Sequence, residues 1–235
     1  MRKMKVYSGT TISIPWAIAL SIIVFLCTFA AAFYIKTVYW NTRLMRIDYR
    51  EGDMIFQSLP HCELVDAIEG ATESEWSHCG VIMREEGEWV VYEALGLVQD
   101  TPLLEWISRG RNNGRFEIYR LKPGTPFDVE KLRQQLRSFR GLPYDIHYAP
   151  DDSEIYCSEL VWKAYKRAAG IEVGTWQTLG SLDWQRFEAF ILTIESAVPL
   201  DRLMITPVAI TRSERVARVH IRGKPKRQKH VPNEG

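Results

Sequence analysis

At 235 residues, 46% of them hydrophobic and 25% charged, the chain has room for one globular domain with a sizeable core plus an appended segment, which excludes a pair of large domains. Thirty Lys and Arg against 29 Asp and Glu leave a formal charge of +1, so no global field draws in nucleic acid. Four cysteines exclude little: Cys27 falls in an apolar run, and Cys62, Cys79 and Cys157 show neither a CxxC pair nor framework spacing, leaving a Cys62–Cys79 disulfide open.

Met1-Arg-Lys-Met-Lys5 precedes a stretch from Val6 to Ile35 without a charged side chain. Its apolar centre, Ile12 to Ile35, exceeds the roughly 20 residues a transmembrane helix needs, and Trp16 and Tyr34 stand where interfacial aromatics belong. A cleaved signal peptide is the rival reading, given Ala30-Ala31-Ala32, but the run is longer than the usual h-region and an uncleaved anchor is expected over residues 1–35. Basic residues are nearly balanced across it, Arg2, Lys3 and Lys5 against Lys36, Arg43, Arg46 and Arg50. The short amino-terminal tail suits a signal anchor that exports the rest, so an extracytoplasmic, periplasmic domain in a bacterium is expected.

A juxtamembrane linker over 36–50 leads to Glu51-Gly-Asp-Met-Ile-Phe56, a turn feeding a short strand, and then to a short helix over Cys62–Glu69. Trp76–Met83 and Trp89–Ala94 suit strands, and the polar turn Arg84-Glu-Glu-Gly-Glu88 between them makes a hairpin. Thr101-Pro102 opens a helix that Gly110 closes, and Arg115–Leu121 alternates as a further strand. Apolar positions 129, 132, 136 and 139 predict a helix over Phe127–Phe139. Positions 157, 160, 161, 164, 165 and 168 predict another over Ile155–Ala169 that buries one face on a sheet, with Asp151-Asp-Ser153 as candidate caps. Beyond it come a helix over Leu182–Ile194, a strand over Met204–Ile210 and a polar, basic end.

Two of these elements carry chemistry. A two-residue loop at Glu86-Gly87 pairs Glu85 with Glu88 and sets Gly80 opposite Glu93, so His78 and Glu93 share a face as diagonal neighbours. Their Cβ atoms then lie about 7–8 Å apart, a gap that a Glu carboxylate spans to an imidazole. A one-residue slip of the register sends them to opposite faces. Cys157 falls in the first turn of its helix, where unpaired amides and the positive end of the dipole favour thiolate. A His held by a carboxylate takes a thiol proton, and a backbone amide beside the sulfur faces the oxyanion formed on attack. Taken singly, each residue has a blander reading: Cys157 as core filling, His78 as a structural strand residue, Glu93 as a surface charge. Their joint placement makes a better case for a cysteine hydrolase than any one of them alone.

Three blocks resemble the permuted papain-like amidases, relatives of the NlpC-type cell-wall peptidases. They are Gly52-Asp-Met-Ile-Phe56; Ser77-His-Cys-Gly-Val-Ile-Met83 with Val91-Tyr-Glu-Ala94; and Pro143-Tyr-Asp145 with Tyr156-Cys-Ser-Glu-Leu-Val161. Ordinary NlpC-type enzymes run Cys, His, then a third polar residue, whereas the order here is His78, Glu93, Cys157, as circular permutation requires. The resemblance covers about Gly52 to Ile210. It implies Cys157 as nucleophile, His78 as base and Glu93 as the orienting residue, and adds Tyr144 beside the substrate or oxyanion pocket, with a packing role as the alternative. Glu159 stands where the cell-wall peptidases have Gly and Tyr156 where they have Asp, departures that weigh against cell-wall peptide specificity.

No cofactor is expected. The His61-Cys62 and His78-Cys79 pairs are a weak metal signal, because adjacent strand residues point to opposite faces. Residues 212–235 read as a basic, disordered tail that rests on anionic lipid or is only solvated, and without interleaved aromatics it is no nucleic-acid platform. The expected whole is an α+β, circularly permuted papain-like domain over 51–211: a small antiparallel sheet packed on helices, plus one amino-terminal transmembrane helix. Its expected activity is thiol-dependent hydrolysis of an amide in a peptide, cell-wall peptide or lipid-linked substrate. Acyl transfer of the lecithin:retinol acyltransferase type and a non-catalytic, membrane-tethered binding module are the alternatives.

Overall fold

The structure is a computed structural model that describes residues 16–44, 46–149 and 151–223. It divides into two compact units, residues 1–48 and 49–235. In the first, Trp16–Leu44 form one helix, α1. Ile18, Leu20, Ile22, Phe25 and Phe29 are exposed along it, and the Phe25 and Phe29 rings stack one turn apart. Among the described residues no helix is long and apolar enough to cross a membrane. The transmembrane span expected over residues 12–35 is therefore not supported: residues 12–15 lie outside the described residues, and the helix runs on through Lys36 and Arg43.

The second unit is built on a six-stranded antiparallel sheet in the order β4-β3-β2-β1-β5-β8. Its strands are β1 (Asp53–Gln57), β2 (His78–Glu85), β3 (Glu88–Leu95), β4 (Leu97–Pro102), β5 (Phe116–Leu121) and β8 (Val216–Arg222). A two-stranded ribbon pairs β6 (Gln177–Thr178) with β7 (Leu203–Met204). The hairpin has the expected register, with Glu85 opposite Glu88 and Val81 opposite Tyr92. Its loop residues Glu86 and Gly87 have φ of 51° and 90°, the left-handed pair of a type I′ turn, whose twist matches the strands it joins.

Around the sheet lie α2 (Glu63–Ala71), α3 (Leu103–Arg109), a single turn α4 (Arg111–Gly114), α5 (Val129–Ser138), α6 (Cys157–Ala169), α7 (Glu188–Ile194) and α8 (Pro207–Thr211). Helix α6 packs on β2 and β3, and α5 packs on α6. Period-2 alternation sends Cys79, Val81 and Met83 of β2 into the main core with Leu160, Val161 and Ala164 of the α6 stripe. Each fully buried aliphatic side chain there contributes about 1.5–3 kcal/mol. The Tyr165 hydroxyl, from the same stripe, donates to the carbonyl of Gly52 and ties α6 to the turn before β1.

Four expectations change. Thr101-Pro102 ends a strand, β4, with α3 starting at Leu103; Gly96, with φ of 74°, lets the chain turn back onto β3. Residues 207–211 are helical, because Pro207 cannot donate to a ladder but suits a first helical turn, where Thr206 Oγ1 accepts from Ala209 N. Asp151 does not cap α6: it turns back on Ser153, and the capping position is Tyr156. The expected disordered tail is structured to Arg222, since β8 pairs with β5 as an edge strand, where Arg218, His220 and Arg222 remain partly exposed. Residues 224–235 lie outside the described residues. Cys62 and Cys79 are both free thiols, the first exposed and the second buried, so the disulfide left open is not formed.

Candidate active site

His78 begins β2 and Glu93 lies near the end of β3, and the hairpin register sets them diagonally on one face. His78 Nε2 donates to Glu93 Oε2 at 2.6 Å. The other carboxylate oxygen, Glu93 Oε1, accepts from Thr101 Oγ1 at 2.5 Å and from the Arg109 guanidinium. Thr101 stands diagonally across β4 from Glu93, so the relation that joins Glu93 to His78 recurs on its other side. Trp106 of α3 closes the face, its ring stacked on the imidazole with centroids 5.9 Å apart. Every hydrogen bond of the carboxylate favours its charged form.

Cys157 is the first residue of α6, after Tyr156 in extended conformation. No side chain caps this helix end, which leaves its first amides free to face a charge. The Cys157 sulfur lies beside the His78 ring and beside Cys79, near enough for both to act on its charge. With Nε2 engaged by Glu93, Nδ1 is the ring nitrogen left for the sulfur. The structure thus brings Cys157, His78 and Glu93 together, with exposures of 2%, 1% and 0%.

His78 and Cys79 point to opposite faces of β2, yet both lie near enough to Cys157 to act on its charge, because they open the strand beside the start of α6. Cys79, Thr101 and Arg109 were missed in the sequence. Thr101 was legible once β4 was read as a strand; Cys79 and Arg109 had no local signal.

The electrostatics follow from these contacts. Hydrogen bonding from Cys79, opposed by burial and reinforced by His78, holds the Cys157 thiol well below its ordinary range. Burial works to lower the His78 pKa, but hydrogen bonds and charge from Cys157 and Glu93 win and push it up to about 9. Glu93 falls to about 2, since the His78, Thr101 and Arg109 contacts outweigh its burial. Burial pushes the Cys79 thiol up, and the neighbouring Cys157 adds to this. The favoured state is a Cys157 thiolate beside a His78 imidazolium, with Cys79 a neutral donor.

Tyr144 is half-buried beside Cys157, its hydroxyl 3.4 Å from that of Tyr148, and burial raises its pKa well above the ordinary value. Glu159 faces away from the sulfur, buried against Lys163 at 2.8 Å; burial lifts its pKa to about 7 with Lys163 opposing.

A His–carboxylate pair on an antiparallel sheet, facing a Cys at the amino end of the helix packed on it, is a papain-like arrangement, here in permuted chain order. A family model described as permuted papain-like amidase enzyme, YaeF/YiiX, C92 family, matches residues 48–220. The chain belongs to this family. It is 33% identical over 163 residues to the uncharacterized protein YiiX of Escherichia coli (strain K12), covering 68% of this chain and 80% of the relative. A crystal structure described as metalloprotein yiiX from Escherichia coli O157:H7 matches with a TM-score of 0.70 at 32% identity, covering 76% of this chain and 100% of that one. In this chain, among the described residues, no three His, Cys, Asp or Glu side chains group so as to hold an ion.

Proposed function

We propose that this chain is a thiol-dependent amidase that works through a thioester on Cys157. The observation that carries the reading is the His78 ring held to Glu93 by a 2.6 Å hydrogen bond, with the Cys157 sulfur beside it and all three residues buried. The thiolate attacks the substrate carbonyl carbon and forms a C–S bond, while the open amides at the start of α6 face the oxyanion. The C–N bond breaks as the His78 imidazolium gives its proton to the leaving nitrogen. Water then attacks the thioester, His78 takes a proton from it, the C–S bond breaks, and the acid leaves with the thiolate restored.

Glu93 holds the ring in place and keeps the imidazolium stable; Tyr144 borders the place a substrate occupies. A second reading, transfer of the acyl group to an acceptor other than water, is favoured by the burial of Cys157, which restricts water at the thioester. Product analysis separates the two. A membrane location with the domain on the outer side is part of this proposal and rests on the apolar run 12–35 of the sequence alone; carbonate extraction of the full chain tests it. The enzymatic core is tested with a thiol-directed probe. Wild type labels rapidly, Cys157→Ala does not label at that site, and His78→Ala labels slowly. Equal labelling of wild type and His78→Ala removes His78 as the base.

A further inference from the structure

Gln57 ends β1 directly opposite His78 at the start of β2, so the two side chains leave the same face of the sheet. Directly opposed residues have their Cβ atoms about 4.5–5.5 Å apart. Gln57 is wholly buried, and among the described residues neither its Oε1 nor its Nε2 has a hydrogen-bond partner. The indole Nε1 of Trp106, whose ring stacks on the imidazole, is buried without such a partner as well. A carboxamide placed so costs stability, because it gives up its bonds to water and gains none. A Met of similar length fills the same space without that cost. The backbone nearby makes room for the amide: a Cβ at Gly110 would stand 2.5 Å from Gln57 Oε1. With φ of −66°, Gly110 has a conformation open to any residue, so the missing side chain serves the space of the amide and not the turn.

What the amide has beside it is a charge. In the favoured state His78 is an imidazolium. Around it stand Glu93 of β3 at Nε2 and Cys157 of α6 with Cys79 of β2 beside it, and Arg109 of α3 is held behind Glu93. A neutral amide adds a dipole to this group without adding a further charge, and in a dry interior a dipole acts strongly on a near charge. Having no other hydrogen bond to break, the Gln57 amide is free to turn its oxygen towards the ring when the ring is charged.

We infer that Gln57 is a positioning residue for His78: its carboxamide stabilises the imidazolium, and through it the thiolate that the imidazolium faces. The inference rests on His78 being the base of Cys157.

The full chain and its Gln57→Met and Gln57→Glu variants are compared by three measurements. These are NMR titration of isotope-labelled histidine, with the His78 signal assigned by its loss in His78→Ala, the pH profile of Cys157 alkylation by iodoacetamide, and urea unfolding. Expected in Gln57→Met is a lower His78 pKa and a Cys157 profile moved to higher pH, each by about one unit, tenfold in the equilibrium. Its unfolding midpoint is expected to equal or exceed that of wild type, since the unpartnered polar atoms are gone. Gln57→Glu sets a negative charge in the same place and raises the His78 pKa instead. Should one variant fail to fold, the shift in the other decides. A His78 titration that stays at its wild-type position, or moves in the opposite sense, overturns the inference, and with a lowered midpoint as the only change Gln57 is core filling. Equal labelling of wild type and His78→Ala overturns the hydrolase reading and this inference with it.

Discussion

Glu93 meets His78 at 2.6 Å across a hairpin, and on its other side meets Thr101 and Arg109, so one buried carboxylate joins three strands and a helix at the site. Glu93→Gln keeps the volume but loses the charge, and leaves the Arg109 guanidinium without its anion. Turnover is expected to fall about 10²-fold or more, within the range attributed to a positioned acid–base group, and the pH at which Cys157 becomes reactive is expected to rise. Steady-state kinetics with a pH series of iodoacetamide labelling tests this; a variant with wild-type kcat/KM removes Glu93 from the mechanism.

Cys79, beside the Cys157 sulfur, is the largest influence lowering its pKa. Cys79→Ala therefore shifts the alkylation profile of Cys157 to higher pH, and Cys79→Ser, which keeps a donor, returns it towards wild type. A purely structural Cys79 predicts no such shift in either variant, only a change in melting temperature.

The same contacts set a pH window for stability. His78 moves from 6.5 in the unfolded chain to about 9, so its contribution is fully present below about 6.5 and is lost as pH rises through 9. Glu93 moves from 4.5 to about 2, so its contribution is fully present above about 4.5 and is lost as pH falls through 2. The stability gap between wild type and His78→Ala is expected to be widest between pH 4.5 and 6.5 and to close above pH 9, as read by urea unfolding. A gap that stays constant to pH 10 contradicts the ion pair.

Glu86 occupies a left-handed position, φ 51°, that costs a residue with a Cβ about 1–2 kcal/mol. Glu86→Asn makes the loop Asn-Gly, which suits a type I′ turn, and is expected to raise unfolding free energy by about 0.5–1 kcal/mol without changing turnover. Gly87→Val, at φ 90°, is expected to lower it by more. Denaturant midpoints measure both, and a destabilised Glu86→Asn places the turn elsewhere.

Local rules determined a good part of this protein. Alternation about Glu86-Gly87 was enough to put His78 and Glu93 on one face, and the 3.6-residue stripe from Cys157 to Ala168 was enough to predict a buried helix with Cys157 in its first turn. Such features depend on a few neighbouring residues, because strand parity and helix period are properties of the backbone. Thr101 was misread for a local reason as well, since Thr-Pro opens a helix as readily as it ends an edge strand. Tertiary structure alone decided the rest. Strand parity separates His78 from Cys79, but the packing of α6 beside the start of β2 brings both near one sulfur. Arg109 reaches Glu93 from α3, and a carbon-lined pocket at Cys157 is assembled from segments between Leu64 and Pro207. Close packing joined those groups, and no periodicity along the chain records which distant surfaces it brings together.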